Sequence, residues 1–370
     1  MSLRTPLCDL FGIEFPLLQS GMGGIAGSAL AAAVSNAGAL GIFAAHGTNP
    51  DGVRELLAQM RVATDRPFGA NLLLAHDLVR PADSVLDQTS DLVNEALNPL
   101  RREVGLEPAH GAPASPARDV EEKLELLLEA RIPILSIGLG NPGHELVERC
   151  RRQGTRVIAM VTTVEDAKAV ESAGVDAIVA QGAEAGGHRS HFAKPAQSGA
   201  GLVGTIALVP EIVDSVRVPV IAAGGIVDGR GLVAALALGA QAVMLGTRFV
   251  ATTESLGVQA YKQALVEGAS HETVVTDAAS GRYARVLRNR FTDHYAATGA
   301  PTLPFGWQGS AVAPLFDQAR ALEDPDHMAL WAGQSTGAIH DIPSVAEVVR
   351  RIMEEAERVV GSLVSRPASG

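Results

Sequence analysis

The sequence predicts an α/β protein: a closed (β/α)8 TIM barrel of parallel strands, with a helical insertion and a mostly helical C-terminal extension. Three observations carry that expectation. Short unbroken blocks rich in Val, Ile and Ala recur through positions 15–247, each followed by a helical pattern. Such blocks suit parallel strands covered on both faces. Glycines follow the blocks, where the chain must leave the sheet. The competing doubly wound sheet would carry an acid about 20 residues after its first glycine turn; positions 39–46 hold none.

Each element has its own signal. Phe15–Met22 reads as the first strand, running into Gly23 and Gly24, and Ser28–Asn36 as an Ala-rich helix stopped by Gly38. Leu40–Ala45 is the second strand, Pro50–Met60 a helix with Asn49 or Asp51 near its cap, and Pro67–Leu74 the third strand. Asn71 is a polar residue within that apolar run. It is either an edge residue or a hydrogen-bonding group at a strand end. The pattern loosens over 75–117, where a helix near Ser84–Val104 precedes a stretch rich in Pro, Ala and Gly. Asp119–Ala130 is helical again. Ile132–Ile137, Arg156–Val161, Ala177–Ala180, Val218–Ala223 and Ala242–Thr247 are strands four to eight, separated by helices at His144–Arg152, Val164–Ala173, Pro210–Val216 and Gly231–Leu238. The chain divides into a barrel over 1–250, with the 75–117 insertion, and a mostly helical lid over 251–370 whose last helix spans Ser344–Val360.

Composition narrows the function classes. A hydrophobic fraction of 47% allows a large core, and 4% aromatics with abundant Gly and Ala suits close strand–helix packing. The net charge of −11 with no Lys/Arg run argues against nucleic acid. No apolar run reaches about 18 residues, and the N-terminus lacks a signal peptide's apolar segment. Cys8 and Cys150, far apart, give neither metal spacing nor a disulfide framework and point to a reducing cytoplasm. No metal site is expected.

The chemistry concentrates at strand ends. Gln181–Gly182–Ala183–Glu184–Ala185–Gly186–Gly187–His188–Arg189 leaves the sixth strand as a glycine-rich loop. Its glycines let backbone approach a ligand, and His188 titrates near neutrality. In a barrel, phosphate commonly sits on the loops after strands seven and eight, here Gly224–Gly225 and Gly246–Thr247. Met22, Asn71, Gln181 and Gly186 face the same mouth. Glu184 is read as a brace for the loop or as a second acid. The other nine histidines, His46 and His76 among them, are read as surface or structural. Arg282, Arg285, Arg288 and Arg290 form a basic cluster, read as a helix face paired with acids or as an anion site.

These residues resemble the FMN-dependent nitronate monooxygenase (2-nitropropane dioxygenase) family. The resemblance rests on Gln19–Ser20–Gly21–Met22, Phe68–Gly69–Ala70–Asn71–Leu72, the histidine loop, Ala222–Ala223–Gly224–Gly225–Ile226 and Leu245–Gly246–Thr247–Arg248–Phe249, with Ser280–Gly281–Arg282 and Trp331–Ala332–Gly333–Gln334 later. It implies FMN across the barrel mouth, its phosphate on Gly224, Gly225, Gly246 and Thr247. Met22, Asn71, Gln181 and Gly186 would contact ring and ribityl chain, and Gly23, Gly182, Gly187 and Leu245 complete the cofactor-binding set. It implies His188 as catalytic base or nitro-group ligand, nitronates or nitroalkanes and O2 as reactants, and a carbonyl compound and nitrite as products. A homodimer is an admissible assembly. Two departures stand out. Ser190 sits where glycine is more familiar, and Gly138–Leu139–Gly140–Asn141–Pro142 resembles the FMN-dependent enoyl-acyl-carrier-protein reductases. The alternative implied is an NAD(P)H-dependent FMN reductase of enoyl-thioester or quinone type.

Overall fold

The structure, a computed structural model, describes residues 3–74, 81–197, 199 and 201–364. The start of the expected insertion, 75–80 with His76, lies outside the described residues. The apolar blocks form β1 (Leu17–Gln19), β2 (Gly41–Ala44), β3 (Phe68–Leu73), β4 (Ile134–Gly138), β5 (Arg156–Val161) and β6 (Ala177–Gln181). A two-residue strand, β7 (Gly187–His188), leaves for another sheet before β8 (Val220–Ala223) and β9 (Ala242–Leu245). The barrel strands pair in parallel in chain order, and β9 pairs with β1. The Gln19 N–H donates to Leu40 O and the Leu40 N–H to Leu17 O, both at 2.9 Å, so β1 meets β2 and the barrel closes.

Strand period sorts the side chains. Ile178, Ala180, Val243 and Leu245 point outward into the layer shared with the helices. Ala177, Val179, Ala242 and Met244 point inward, where they meet Leu18, Ile42, Ile134, Ile158 and Ile221. The N-terminal end of the barrel is filled by Leu7, Cys8, Phe11 and Ile13. Leu7, Cys8 and Phe11 sit on a helix, Pro6–Phe11, that the sequence reading had passed over. It has Pro at its first position and Gly12 in the left-handed conformation at its end (φ 70°), but a single turn and a half is too short to show helical periodicity. The eighth strand is shorter than expected: it ends at Leu245, and Thr247 opens the short helix Thr247–Val250.

Seven helices follow β1 to β8 around the barrel, from Ser28–Asn36 to Gly229–Ala237. The eighth place in the ring is taken by the last helix, Val345–Val364, which packs between Gly229–Ala237 and Ser28–Asn36. Its Val345, Val348, Val349, Ile352 and Met353 share the outer layer of the barrel. Residues 251–344 therefore loop out between the last strand and its helix. They are not wholly helical: β10 (Thr273–Thr276) and β11 (Ala284–Leu287) form an antiparallel pair, and β7 adds to β11. The insertion helix, Asp83–Glu103, buries Leu86, Val93, Leu97 and Leu100 against Phe291, Tyr295, Trp307 and Leu315. The insertion and the post-barrel segment thus share one apolar cluster beside the mouth.

The last helix lies very close to the barrel ring. A Cβ added at Gly229 would sit 2.3 Å from Ala356 N and 2.5 Å from Ile352 O. Overpacking of this kind costs about 1–3 kcal/mol. Gly229→Ala should therefore lower the unfolding free energy by an amount in that range, read as a lower urea midpoint at unchanged slope. Gly361→Ala, on the last helix itself and with nothing within 4 Å, should cause no such loss. Equal midpoints for the two variants would contradict this packing.

Candidate active site

The C-terminal ends of the strands open into a cavity of about 330 Å3. The inward parity of the barrel builds its floor: Asn71 and Leu73 from β3, Met160 from β5, Gln181 from β6, Ala223 from β8 and Met244 from β9. Loops form the rest. Ser20–Gly23 follows β1, Gly224–Ile226 follows β8, and Gly246–Thr247 follows β9. Of the expected site residues, Met22, Gly23, Asn71, Gln181, Gly186, Gly187, His188, Gly224, Gly225, Gly246 and Thr247 line this cavity. Two do not. Leu245 is 1% exposed and faces the outer layer, because its neighbour Met244 takes the inward position. Gly182 lies behind the wall, where a Cβ would strike Thr205 Oγ1 at 1.9 Å.

The histidine loop is held from several sides. The Gln181 side chain bridges it, donating from Nε2 to His188 O (2.8 Å) and accepting the Ser190 N–H at Oε1 (2.9 Å). Buried Arg189 turns back to Gln181 O and Gly182 O at 2.9 and 2.8 Å. Arg285 Nε reaches Ala183 O at 2.9 Å, and Arg282 donates to His191 O and Phe192 O. Glu184 accepts the Thr205 N–H and hydroxyl, so it braces the loop against the start of helix Thr205–Ser215. The four arginines that read as one basic cluster do not converge. Arg285 lies on β11 rather than on a helix, while Arg288 pairs with Asp293 and Arg290 with Glu103. The reason is that Arg282 precedes β11, Arg285 lies on it, Arg288 follows it and Arg290 opens the helix Arg290–Thr298, so no single helix face carries them.

His188 itself is packed against the post-barrel segment. Its ring centroid is 4.9 Å from that of Trp331 and 5.6 Å from that of Phe305, edge-on to the latter. Nε2 lies 2.8 Å from Ser280 Oγ. Burial, then His46 and Arg282, lower its pKa to about 3, so the imidazole is neutral over the ordinary pH range. Burial lowers His46 to about 4 in the same way, against hydrogen bonding from the Asn71 backbone and side chain that raises it. What exposure both rings keep is toward the cavity they line. Asn71, 7% exposed, donates from Nδ2 to Ser136 O and Oγ at 3.1 and 3.2 Å. That supports the reading of it as a hydrogen-bonding group at a strand end.

Packed against the start of the histidine loop, at Gly182–Ala185, lies a backbone cradle. Gly224 (φ 113°) and Gly225 (φ 71°) adopt conformations that side chains resist. The N–H groups of Gly224, Gly225, Gly246 and Thr247 donate to no described protein acceptor. Thr247 Oγ1 accepts the Gly333 N–H at 2.9 Å, which leaves its own proton to donate. Such a set of donors fits an anion such as a phosphate without any Lys or Arg.

Several residues around the site are not singled out by the sequence, or only as members of motifs. His46 reads as one of the structural histidines, Trp331, Ser280 and Leu139 stand within motifs without an assigned role, and Phe305 and Tyr261 carry no local signal. Each comes from a segment far from the histidine loop in sequence. Tyr261 donates its hydroxyl to Trp331 O at 2.6 Å and so fixes the ring that stacks on His188. Among the described residues no helix is long and apolar enough to cross a membrane.

Comparisons with known proteins bear on this geometry. A family model described as nitronate monooxygenase matches residues 4–355. A nitronate monooxygenase of Pseudomonas aeruginosa is 41% identical over 349 residues, 94% of this chain and 97% of the relative. The crystal structure of a nitroalkane oxidase from Streptomyces ansochromogenes superposes with TM-score 0.87 at 34% identity, covering 96% of this chain and 99% of its own. FabK from Thermotoga maritima superposes with TM-score 0.77 at 33% identity, covering 97% and 98%. The barrel, the histidine loop and a match spanning nearly the whole sequence together place this chain in the nitronate monooxygenase family.

Proposed function

We propose that the cavity takes FMN and that the enzyme oxidises alkyl nitronates, or the parent nitroalkanes, with O2 to a carbonyl compound and nitrite. The observation that carries this reading is that a neutral, aromatic-walled His188 and an anion cradle line one cavity. The residues fit the cofactor: Gly224, Gly225, Gly246 and Thr247 would hold its phosphate through otherwise unused donors. Met22, Gly23, Asn71, Gln181, Gly186 and Gly187 would lie along the rest of it. When bound, FMN supplies the electron acceptor and the reactivity toward oxygen that side chains lack.

His188 supplies the proton chemistry. A neutral imidazole can accept the α-proton of a nitroalkane or, once protonated, hold the nitro group of a nitronate. Ser280 and Trp331 fix the ring, so it needs little reorganisation on binding. The stacked aromatic wall keeps water from the same position.

A second reading, an NAD(P)H-dependent FMN reductase of enoyl-thioester or quinone type, has one specific observation in its favour. Leu139, at φ 56°, is held in the cavity wall by a 3.1 Å bond from its N–H to Ser190 Oγ. The two departures from the family pattern are therefore one structural unit, and FabK is among the neighbours. Anaerobic mixing separates the readings. Flavin in the purified protein should be reduced by a nitronate and not by NADPH. Fast bleaching by NADPH alone would favour the reductase, and a protein that takes up no FMN would refute both.

His188→Ala should keep FMN bound while turnover of neutral nitroalkane falls about 100-fold or more, the usual scale for a lost general base. Loss of flavin or unchanged turnover would remove the assigned role. Stability should also depend on pH. The unfolded chain protonates these imidazoles near the ordinary value of about 6.5, whereas the folded one keeps His188 neutral to about 3 and His46 to about 4. Between about pH 6.5 and 4 the unfolded state binds more protons, so stability falls as pH falls, at most about 1.4 kcal/mol per pH unit for each group. Urea melts of the protein across that range should show the slope, and His188→Gln should make it shallower.

A further inference from the structure

We propose that Ser335 is a further ligand of the cofactor phosphate, its hydroxyl donating a hydrogen bond beside the glycine cradle. The proposal rests on the FMN reading above and adds to it a side chain from the post-barrel segment.

The segment that carries Ser335 is fixed to the cradle. At Trp331 it stacks on His188. Further along, the Gly333 N–H donates to Thr247 Oγ1 at 2.9 Å, and the Gln334 N–H donates to Glu184 O at 2.9 Å. Glu184 in turn lies against the cradle, since a Cβ at Gly225 would sit 3.4 Å from its Cβ. The approach is close: a Cβ at Gly333 would lie 2.6 Å from Glu184 O. Ser335 follows directly, in the short helical turn Gln334–Ala338, which packs on the helix Thr247–Val250. From Trp331 to Ser335 the chain therefore passes from the histidine to the cradle.

The donors of this segment are not spent alike. Gly333 and Gln334 give their N–H groups to protein acceptors. The Ser335 side chain lines the cavity, and its hydroxyl bonds to no described residue. It is also not sealed from the cavity. A half-buried hydroxyl without a protein partner has its proton to donate to a ligand. A phosphate presents three strong acceptor oxygens, each able to take more than one bond. The backbone N–H groups of the cradle and the Thr247 hydroxyl do not exhaust them. A hydrogen bond to a charged oxygen is also stronger than one to a neutral acceptor.

The test compares FMN with riboflavin, which has the same ring and ribityl chain but no phosphate. Affinity of the flavin-stripped protein for each is read by fluorescence titration, and the phosphorus NMR resonance of bound FMN reports on the phosphate itself. Ser335→Ala should weaken FMN binding about tenfold, the scale of one hydrogen bond to a charged group. It should move the phosphorus resonance and leave riboflavin affinity unchanged. Ser335→Thr keeps the hydroxyl and should restore FMN affinity. Ser335→Asp sets a carboxylate against the phosphate and should weaken FMN further than the alanine does, because like charges repel, without a matching loss for riboflavin. Wild-type FMN affinity in the alanine and aspartate variants, an unmoved phosphorus resonance, or an equal loss for both flavins would overturn the proposal while leaving the FMN reading intact. A wild-type protein that binds no FMN would remove that reading and this proposal with it.

Discussion

The histidine loop is held by buried guanidinium groups that satisfy its backbone carbonyls, and the site depends on this. A loop leaving a parallel barrel has no neighbouring strand to take its carbonyl groups, and leaving them unpaired in a buried place is costly. Arg189 takes Gln181 O and Gly182 O, Arg285 takes Ala183 O, and Arg282 takes His191 O and Phe192 O. Arginine suits this because its planar fork can hold two acceptors and it remains charged when buried. The loop is pinned at both ends, and Gly187–His188 between them is free to pair with β11.

That pairing ties chemistry to a distant part of the chain. β11 brings Ser280 and Arg282 near His188 from the preceding turn, and its bridge from Val286 to Trp331 places the stacking ring. The post-barrel segment is therefore a wall of the site as well as a cover over it. Its own support comes from the insertion helix, and Asp341 near its end pairs with Arg248 and with Arg351 of the last helix.

The two sides of the cavity use different physics. Around the glycine cradle, backbone donors lie open and charge is supplied by the ligand. Around His188, burial strips water from the imidazole and keeps it neutral. An anion at one end and a proton acceptor at the other need not compete for the same groups, because the cradle has no titratable side chain among its four residues.

Much of this was legible in the sequence. The eight apolar blocks, the glycines after them and His188 were all visible, because a parallel strand buried on both faces needs an apolar run and a tight exit needs glycine. What the sequence could not decide was mostly a matter of direction and distance. Leu245 belongs to the right motif but faces outward, and only the strand's register against its neighbours shows that Met244 has the inward place. The tail reads as helical because β10 and β11 are short, and the strand that joins β11 on its other edge, β7, lies nearly a hundred residues earlier. His46 looks like any other histidine until folding brings it to the cavity wall. Local sequence fixes which residues can turn, cap or bury. Which of them meet, and which way each polar atom points, depends on contacts between segments far apart in the chain, and only the closed barrel with its returning helix supplies those.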